Sequence, residues 1–285
     1  VEAVQLVLNA PNSAHKKDER SVKIKPRRRL IAIAAMLFGL TALSGCSTNN
    51  LFTRLGMPEP ATKEGPRILS LWQGSWVAAF AVGILVWGLL IWAIVVYRRK
   101  DDSVPKQTKY NMPIEIGYTI APLIMILGLF YFTARDQTEL TKIDNGYTHT
   151  VNVQAWRWSW GFNYVDEGTY DVGTPAVVPE LWLPVNEKVK FTLNSPDVIH
   201  GFWVPAFLMK MDVIPGRNNE FEVTPDRIGT FAGKCTELCG VDHSRMLFKV
   251  NVVSRADYDK HIADLKANGQ TGELKNPKAR IAGEQ

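Results

Sequence analysis

Charged residues are absent from three stretches of this chain: residues 30–43, 68–97 and 116–134 carry none. About 20 apolar residues are needed to cross the hydrocarbon core of a bilayer. The stretch 68–97 therefore spans with room for tilt and 116–134 just spans, while 30–43 is too short. The connection between the two long stretches, residues 98–115, carries Arg98, Arg99, Lys100, Lys106 and Lys109. Such basic loops stay in the cytoplasm, so the pattern predicts a transmembrane helical hairpin with both ends outside. Trp72, Trp76, Trp87 and Trp92 read as lipid-facing bulk, with belt residues near the helix ends. Pro122 inside the second helix is tolerated where a neighbouring helix supplies partners, which points to a larger complex.

After residue 134 the pattern changes to short β-branched or aromatic runs separated by turn residues. Residues 148–158, 188–193, 219–223, 230–233 and 246–253 are predicted strands, with turns at Asn194-Ser195-Pro196-Asp197 and Pro215-Gly216. That is the signature of a β-sandwich of Greek-key type. Residues 255–267 are predicted helical, and 268–285 form a polar, loose tail. Trp156, Trp158, Trp160 and Phe162 alternate as on one strand with a single aromatic face, for which core packing is the default reading.

Composition changes the picture only at the N-terminus. The net charge of +5 could suggest nucleic acid as a partner, but the excess lies in His15, Lys16, Lys17, Arg20, Lys23, Lys25, Arg27, Arg28 and Arg29, with no interleaved aromatics. Nucleic-acid binding is excluded on that ground. Of the three cysteines, Cys46 closes Leu43-Ser44-Gly45-Cys46 after a basic flank and an apolar run. This looks like a bacterial lipoprotein signal, with Cys46 as the lipidated mature N-terminus; an uncleaved signal anchor is the alternative. The expected domains are a signal segment 1–45, a linker 46–67, the hairpin 68–134, an extracytoplasmic sandwich 135–267 and the tail 268–285.

The chemistry concentrates in Cys235-Thr236-Glu237-Leu238-Cys239-Gly240-Val241-Asp242-His243-Ser244-Arg245-Met246, with His200 upstream. Two thiolates, two imidazoles and a thioether form a soft donor set suited to copper. Cys235 and Cys239 could instead form a disulfide in an oxidising compartment. A structural zinc site would use two cysteines and two histidines but has little use for Met246.

The order His, Cys-x-x-x-Cys, x-x-x-His, x-x-Met resembles the binuclear copper A site of cytochrome c oxidase subunit II, and Asp212-Val213-Ile214-Pro215-Gly216-Arg217 is similar to that family as well. The resemblance implies a cupredoxin-like sandwich in which Cys235 and Cys239 bridge two copper ions. His200 and His243 would each bind one ion, Met246 would be a weak ligand to one, and the Glu237 carbonyl would be a ligand to the other. It implies that the Glu237 side chain binds a magnesium ion shared with subunit I, that Trp156 receives electrons, and that Glu115 stands at the mouth of a proton channel. Gly161 departs from the family, which usually carries an acid there, and residues 166–175 are extra. Asp197 and Asp212 match family positions near the copper and the subunit interface, but loop aspartates are more often turn residues.

The implied activity is that of a respiratory, proton-translocating oxidoreductase in the bacterial cell membrane. Electrons would come from a cytochrome c, soluble or held in a cytochrome bc complex, and go to the haem and copper of subunit I. Subunits I and III and membrane lipid are the expected partners. The chain has no Cys-x-x-Cys-His, so the resemblance implies no haem of its own. A quinol oxidase subunit of the same architecture would have lost the copper ligands, and a copper-carrying assembly factor would lack need of the hairpin and the Trp156 segment.

Overall fold

The computed structural model describes residues 52–105, 107–174 and 176–274. The signal segment, Cys46 and residues 275–285 lie outside the described residues. Two apolar helices, α1 (Gly65–Val96) and α2 (Met112–Leu140), pack side by side. Their flanks present Ile84, Trp87, Ile91, Leu127 and Phe130 to the surroundings, as expected where lipid or neighbouring helices replace water. Both helices run beyond the apolar stretches. Residues 135–140 therefore belong to α2 and not to the sandwich, a correction to the expected boundary, because Arg135 and Asp136 find partners and do not break the helix.

Ten strands follow. Their ranges are β1 (His149–Trp156), β2 (Ser159–Tyr164), β3 (Thr169–Val172), β4 (Glu180–Pro184), β5 (Val189–Asn194), β6 (His200–Val204), β7 (Met209–Val213), β8 (Asn219–Val223), β9 (Gly229–Cys235) and β10 (Leu247–Val253). One sheet has the order β3-β2-β1-β5-β8 and the other β4-β10-β9-β6-β7. Pairing is antiparallel except for β1 with β5 and β4 with β10. Alternating buried positions along β1 and β5 set Val151, Val153, Ala155, Phe191 and Leu193 between the sheets. Within one sheet Phe202 of β6 stacks on Phe248 of β10 at 4.9 Å, within the other Phe191 of β5 stacks on Phe221 of β8 at 5.0 Å, and Phe191 meets Phe202 across the interface at 5.9 Å.

The aromatic run is not one strand. β1 ends at Trp156, which pairs with Ser159, so Arg157 and Trp158 form the turn of a hairpin. Trp160 and Trp156 consequently leave the sheet in different surroundings. Trp160 enters the core against Phe202 and Phe248, and Trp156 lies under Leu274 where it crosses Gly161.

Two expected connectors are built into the sandwich. Before α1, the Ala61 N–H donates to the Ala206 carbonyl and the Lys63 N–H to Thr224, while Ala61 and Thr62 are fully buried; this part of 46–67 is an added edge and not a free linker. After α3 (Arg255–Ala267), capped by Ser254 accepting from the Asp257 N–H, residues 268–274 are bonded to the sandwich and do not form a loose tail. The Tyr170 N–H donates to Gln270, Gly272 to Gly168, and Leu274 to Asn163 Oδ1, so 268–274 form a strap over β2 and β3. A polar sequence hid it because its bonds are made by the backbone.

His149 pins this end of the fold. Its Nδ1 stands 2.8 Å from Glu167 and its Nε2 2.9 Å from Glu187; Arg255 pairs with Glu187, and Tyr258 donates to Glu167. The Glu167 contact, foremost, raises the His149 pKa above the ordinary 6.5 against the opposing effect of burial, with Glu187 adding to it. A raised histidine pKa gives stability that is complete below the unfolded value of about 6.5 and is lost as pH rises through the folded value. Thermal unfolding of the whole chain in detergent should therefore show a midpoint that falls across that window, and His149→Gln should flatten the dependence. An unchanged slope in the variant rejects the role.

Candidate metal centre

The site is assembled by the pairing of β6 with β9. Phe202 faces Cys235, which sets His200, at the start of β6, beside the end of β9. Two backbone bonds close the loop that follows: the Thr236 N–H donates to Gly201 and the Cys235 N–H to Met246. The Cys235 and Cys239 sulfurs are 3.9 Å apart, both buried and free of a disulfide. His200 Nδ1 lies 3.9 Å from Cys235 Sγ, and His243 Nδ1 lies 3.5 Å from Cys239 Sγ. Met246 Sδ is 3.8 Å from Cys239 Sγ, and the Glu237 carbonyl is 3.3 Å from Cys235 Sγ. All six predicted ligand groups converge. Cys235, Cys239, Met246 and His200 are buried, while His243 and Glu237 are half-buried at the loop.

The donor chemistry fits a cationic guest. Burial, and then the adjacent Cys235 sulfur, push the Cys239 thiol up to about 12. Two neighbouring thiolates in such a place need positive charge between them. Burial holds the His200 ring below its ordinary 6.5 despite Asp197, which leaves it neutral, the form that ligates metal.

Asp197, read from sequence as a turn residue, orients the site. Its Oδ1 is 3.0 Å from His200 Nε2, and its Oδ2 accepts from the Arg157 N–H at 3.0 Å. Burial opposes its ionisation, yet the Arg157 and Val198 N–H groups and the His200 ring hold the carboxyl well below the ordinary carboxylate range. Bonding of Nε2 to Asp197 leaves Nδ1 to face the sulfurs, the usual way a second residue fixes a ligand histidine.

Among the described residues a hydrogen bond links Trp158 to the centre, and none is made by the Trp156 indole. Trp158 Nε1 donates to the Cys239 carbonyl at 3.2 Å, and its ring lies against Gly240, whose φ of +126° suits glycine and whose missing Cβ makes room for the indole. Trp158 is half-exposed; Trp156 is fully buried, and its Nε1 has no partner among the described residues. Only the hairpin turn distinguishes the two, and the dipeptide between β1 and β2 gave no turn residue to announce it. Glu115 sits half-buried at the start of α2, where its Oε1 accepts from the Asn111 N–H at 2.8 Å. Asp212 accepts from the Asn219 amide through its carbonyl and pairs across β6 and β7 with Gly201, next to His200.

A family model described as "Cytochrome C oxidase subunit II, periplasmic domain" matches residues 174–253, which include every predicted ligand. A probable cytochrome c oxidase subunit 2 of Streptomyces avermitilis is 49% identical over 294 residues, covering 89% of this chain and 92% of that protein. This chain belongs to the cytochrome c oxidase subunit 2 family. The Mycobacterium tuberculosis cytochrome c oxidase subunit 2 is 33% identical over 85% of this chain and 83% of its own length. Among solved structures, the periplasmic domain of subunit II of cytochrome oxidase from Bradyrhizobium japonicum is 31% identical, covering 43% of this chain and 96% of that one, at a TM-score of 0.40. As a subunit 2, the chain is a membrane protein of an oxidoreductase complex, and its two apolar helices are long enough to span.

Gly201 tests how tightly the metal loop is seated in this subunit 2. A Cβ there would stand 2.1 Å from Thr236 Oγ1 and 3.2 Å from the Glu237 nitrogen. Gly201→Ala should destabilise the sandwich by about 1–3 kcal/mol, the usual range for overpacking, seen as a lower unfolding midpoint. An unchanged midpoint would mean that the loop gives way freely.

Proposed function

We propose that this chain is the electron-accepting subunit of a respiratory oxidase, built to hold a binuclear copper A centre. The convergence of two sulfurs, two imidazole Nδ1 atoms, a thioether and the Glu237 carbonyl is the observation that carries the reading. Cys235 and Cys239 would hold both ions, His200 and His243 one each, with Met246 and the Glu237 carbonyl completing the two sides; the Glu237 carboxylate would bind magnesium shared with subunit I. When bound, the copper pair supplies one-electron storage between a cytochrome c and the haem and copper of subunit I. The protein's part is to keep the donors fixed in both redox states. His200 is held by Asp197, the loop by Gly201 and Met246 backbone bonds, and burial keeps water from Cys235, Cys239, His200 and Met246. Retention of every donor argues against a quinol oxidase subunit.

On this reading the basic loop 98–115 is cytoplasmic and the sandwich extracytoplasmic, with subunits I and III and proton translocation in the assembled complex. A lipid on Cys46 is consistent with the segment just after it: the Thr53 and Leu55 carbonyls accept from Gln73 and Trp72 of α1, so the chain there runs along a membrane helix.

The purified oxidase should contain two copper ions assignable to this subunit and show near-infrared absorption of a mixed-valence pair. One ion, or a Cys235–Cys239 disulfide that persists after reduction and copper addition, overturns the reading.

Electron uptake is assigned to Trp158 in preference to Trp156, because Trp158 alone joins the surface to the Cys239 carbonyl. Trp158→Phe should slow electron uptake from the native donor by about tenfold, a barrier rise of about 1.4 kcal/mol, with the copper spectrum retained. Trp156→Phe should leave the rate near that of the wild type. The reverse order of effects restores Trp156.

Glu115 would deliver protons towards subunit I. Glu115→Gln preserves an acceptor for the Asn111 N–H but removes the carboxylate, so helix capping and proton delivery separate. Oxygen reduction should fall with electron uptake intact, and Glu115→Asp should keep part of the activity. Normal turnover of the Gln variant at neutral and alkaline pH leaves Glu115 as a cap.

A further inference from the structure

The hairpin carries a built polar array that the copper reading does not use. Arg67 is the last charge before the uncharged stretch of α1, and Arg135 the first after that of α2. Both bind the same oxygen of Asp136: Arg67 Nη1 at 3.0 Å, Arg135 Nε at 3.0 Å and Nη2 at 2.9 Å. The Asp136 side chain is only 4% exposed, whereas the Arg67 and Arg135 side chains are 44% and 48% exposed. Arginines at a helix end that merely reach for water need no buried carboxylate between them. Here the carboxylate fixes two planar forks at one level on side chains that stay partly exposed, the arrangement that suits a phosphate.

The spaces on either side of this array differ in character. Towards the membrane, a cavity of about 310 Å³ runs between the helices, lined by Leu71, Leu129 and Phe132, with Ser70, Gly74 and Ser75 leaving it open. Towards the sandwich, a second cavity shares Ser70, Arg135 and Asp136 with the first and is bordered by Arg67 and Glu139. From the membrane outward the order is thus apolar groove, guanidinium pair, carboxylate. The two arginines, Asp136 and Glu139 balance to zero charge, which matches a zwitterion in preference to an anionic lipid.

We propose that this groove holds an aminophospholipid of the sandwich-side leaflet, with an acyl chain between α1 and α2, its phosphate on Arg67 and Arg135 and its ammonium on Glu139. The site stands apart from the copper ligands, so its fate is measured separately from theirs.

The test uses the whole oxidase, purified in mild detergent and washed extensively, with retained phospholipid identified by mass spectrometry and copper counted on the same samples. Wild-type complex should retain phosphatidylethanolamine in preference to phosphatidylglycerol when offered both in mixed micelles. The variant Arg67→Gln/Arg135→Gln, made with Asp136→Asn so that no buried carboxylate is left unpaired, should retain about tenfold less phospholipid, the loss expected for charge-assisted bonds. Its copper content should be unchanged. Glu139→Gln should still hold phospholipid but lose the preference for the amine. Equal retention by all forms, a wild-type preference for phosphatidylglycerol, or loss of subunit I from the arginine variant each overturns the proposal, the last by making the groove a helix interface.

Discussion

Everything at the candidate metal centre hangs on the register of β6 against β9. A shift of one residue would turn His200 to the opposite face of its strand and away from Cys235. The register is held by more than the ladder itself. Phe202, next but one to His200, is clamped in the core by Phe248, Phe221 and Trp160, and the Gly201 carbonyl between them takes the Thr236 N–H. The same residues that close the hydrophobic core therefore set the position of the first imidazole. Cys239, His243 and Met246 then follow from a loop whose two ends are tied at Gly201 and at the Cys235–Met246 backbone bond.

A second layer makes the loop's surroundings rigid from the opposite sheet. Asp197 joins His200 to the turn at Arg157, and Trp158 from that turn reaches back to the Cys239 carbonyl. The β1–β2 hairpin and the metal loop thus lock each other across the top of the sandwich. Trp156 serves a different need. It leaves the outer face of β1 and is covered by the strap ending at Leu274, whose carbonyl accepts from Gln154, so its ring seals the sheet.

That the candidate donor residues come together was legible from a soft donor set concentrated in one loop, with His200 added by the resemblance to the family. The hairpin was legible from uncharged length. Several strands were not. β6 contains His200-Gly201-Phe202-Trp203-Val204 and β7 alternates Met209, Lys210, Met211 and Asp212, patterns that lack the β-branched runs used to find the others. The aromatic segment misled for a physical reason. A two-residue turn keeps the alternation of large residues in sequence while reversing the chain, so Trp156, Trp158 and Trp160 occupy three environments. Asp197 carried, beside its family match, only the local signal of a turn former, since the Arg157 N–H that it accepts belongs to a turn 40 residues away in the chain.

The way the sandwich meets the hairpin bears on the height of the metal centre. On one side, the segment before α1 is fixed to the sandwich at Ala61, Lys63 and Glu64, the last accepting from the Thr224 N–H. On the other, α2 continues to Leu140, and within a few residues Asp144 and Lys188 pair while the Asp144 N–H reaches Glu222. A domain on one flexible tether samples many orientations, and each would change the distance from the site to a partner in the membrane. Two short, bonded connections remove most of that freedom. On the proposed function, a centre that passes single electrons to a neighbouring subunit would depend on a fixed separation, so ordering the connectors would serve it even though neither supplies a candidate ligand. The Arg67–Asp136–Arg135 array lies where the two helices approach this junction, and by binding one carboxylate from both helices it holds their ends at a common level beneath the sandwich.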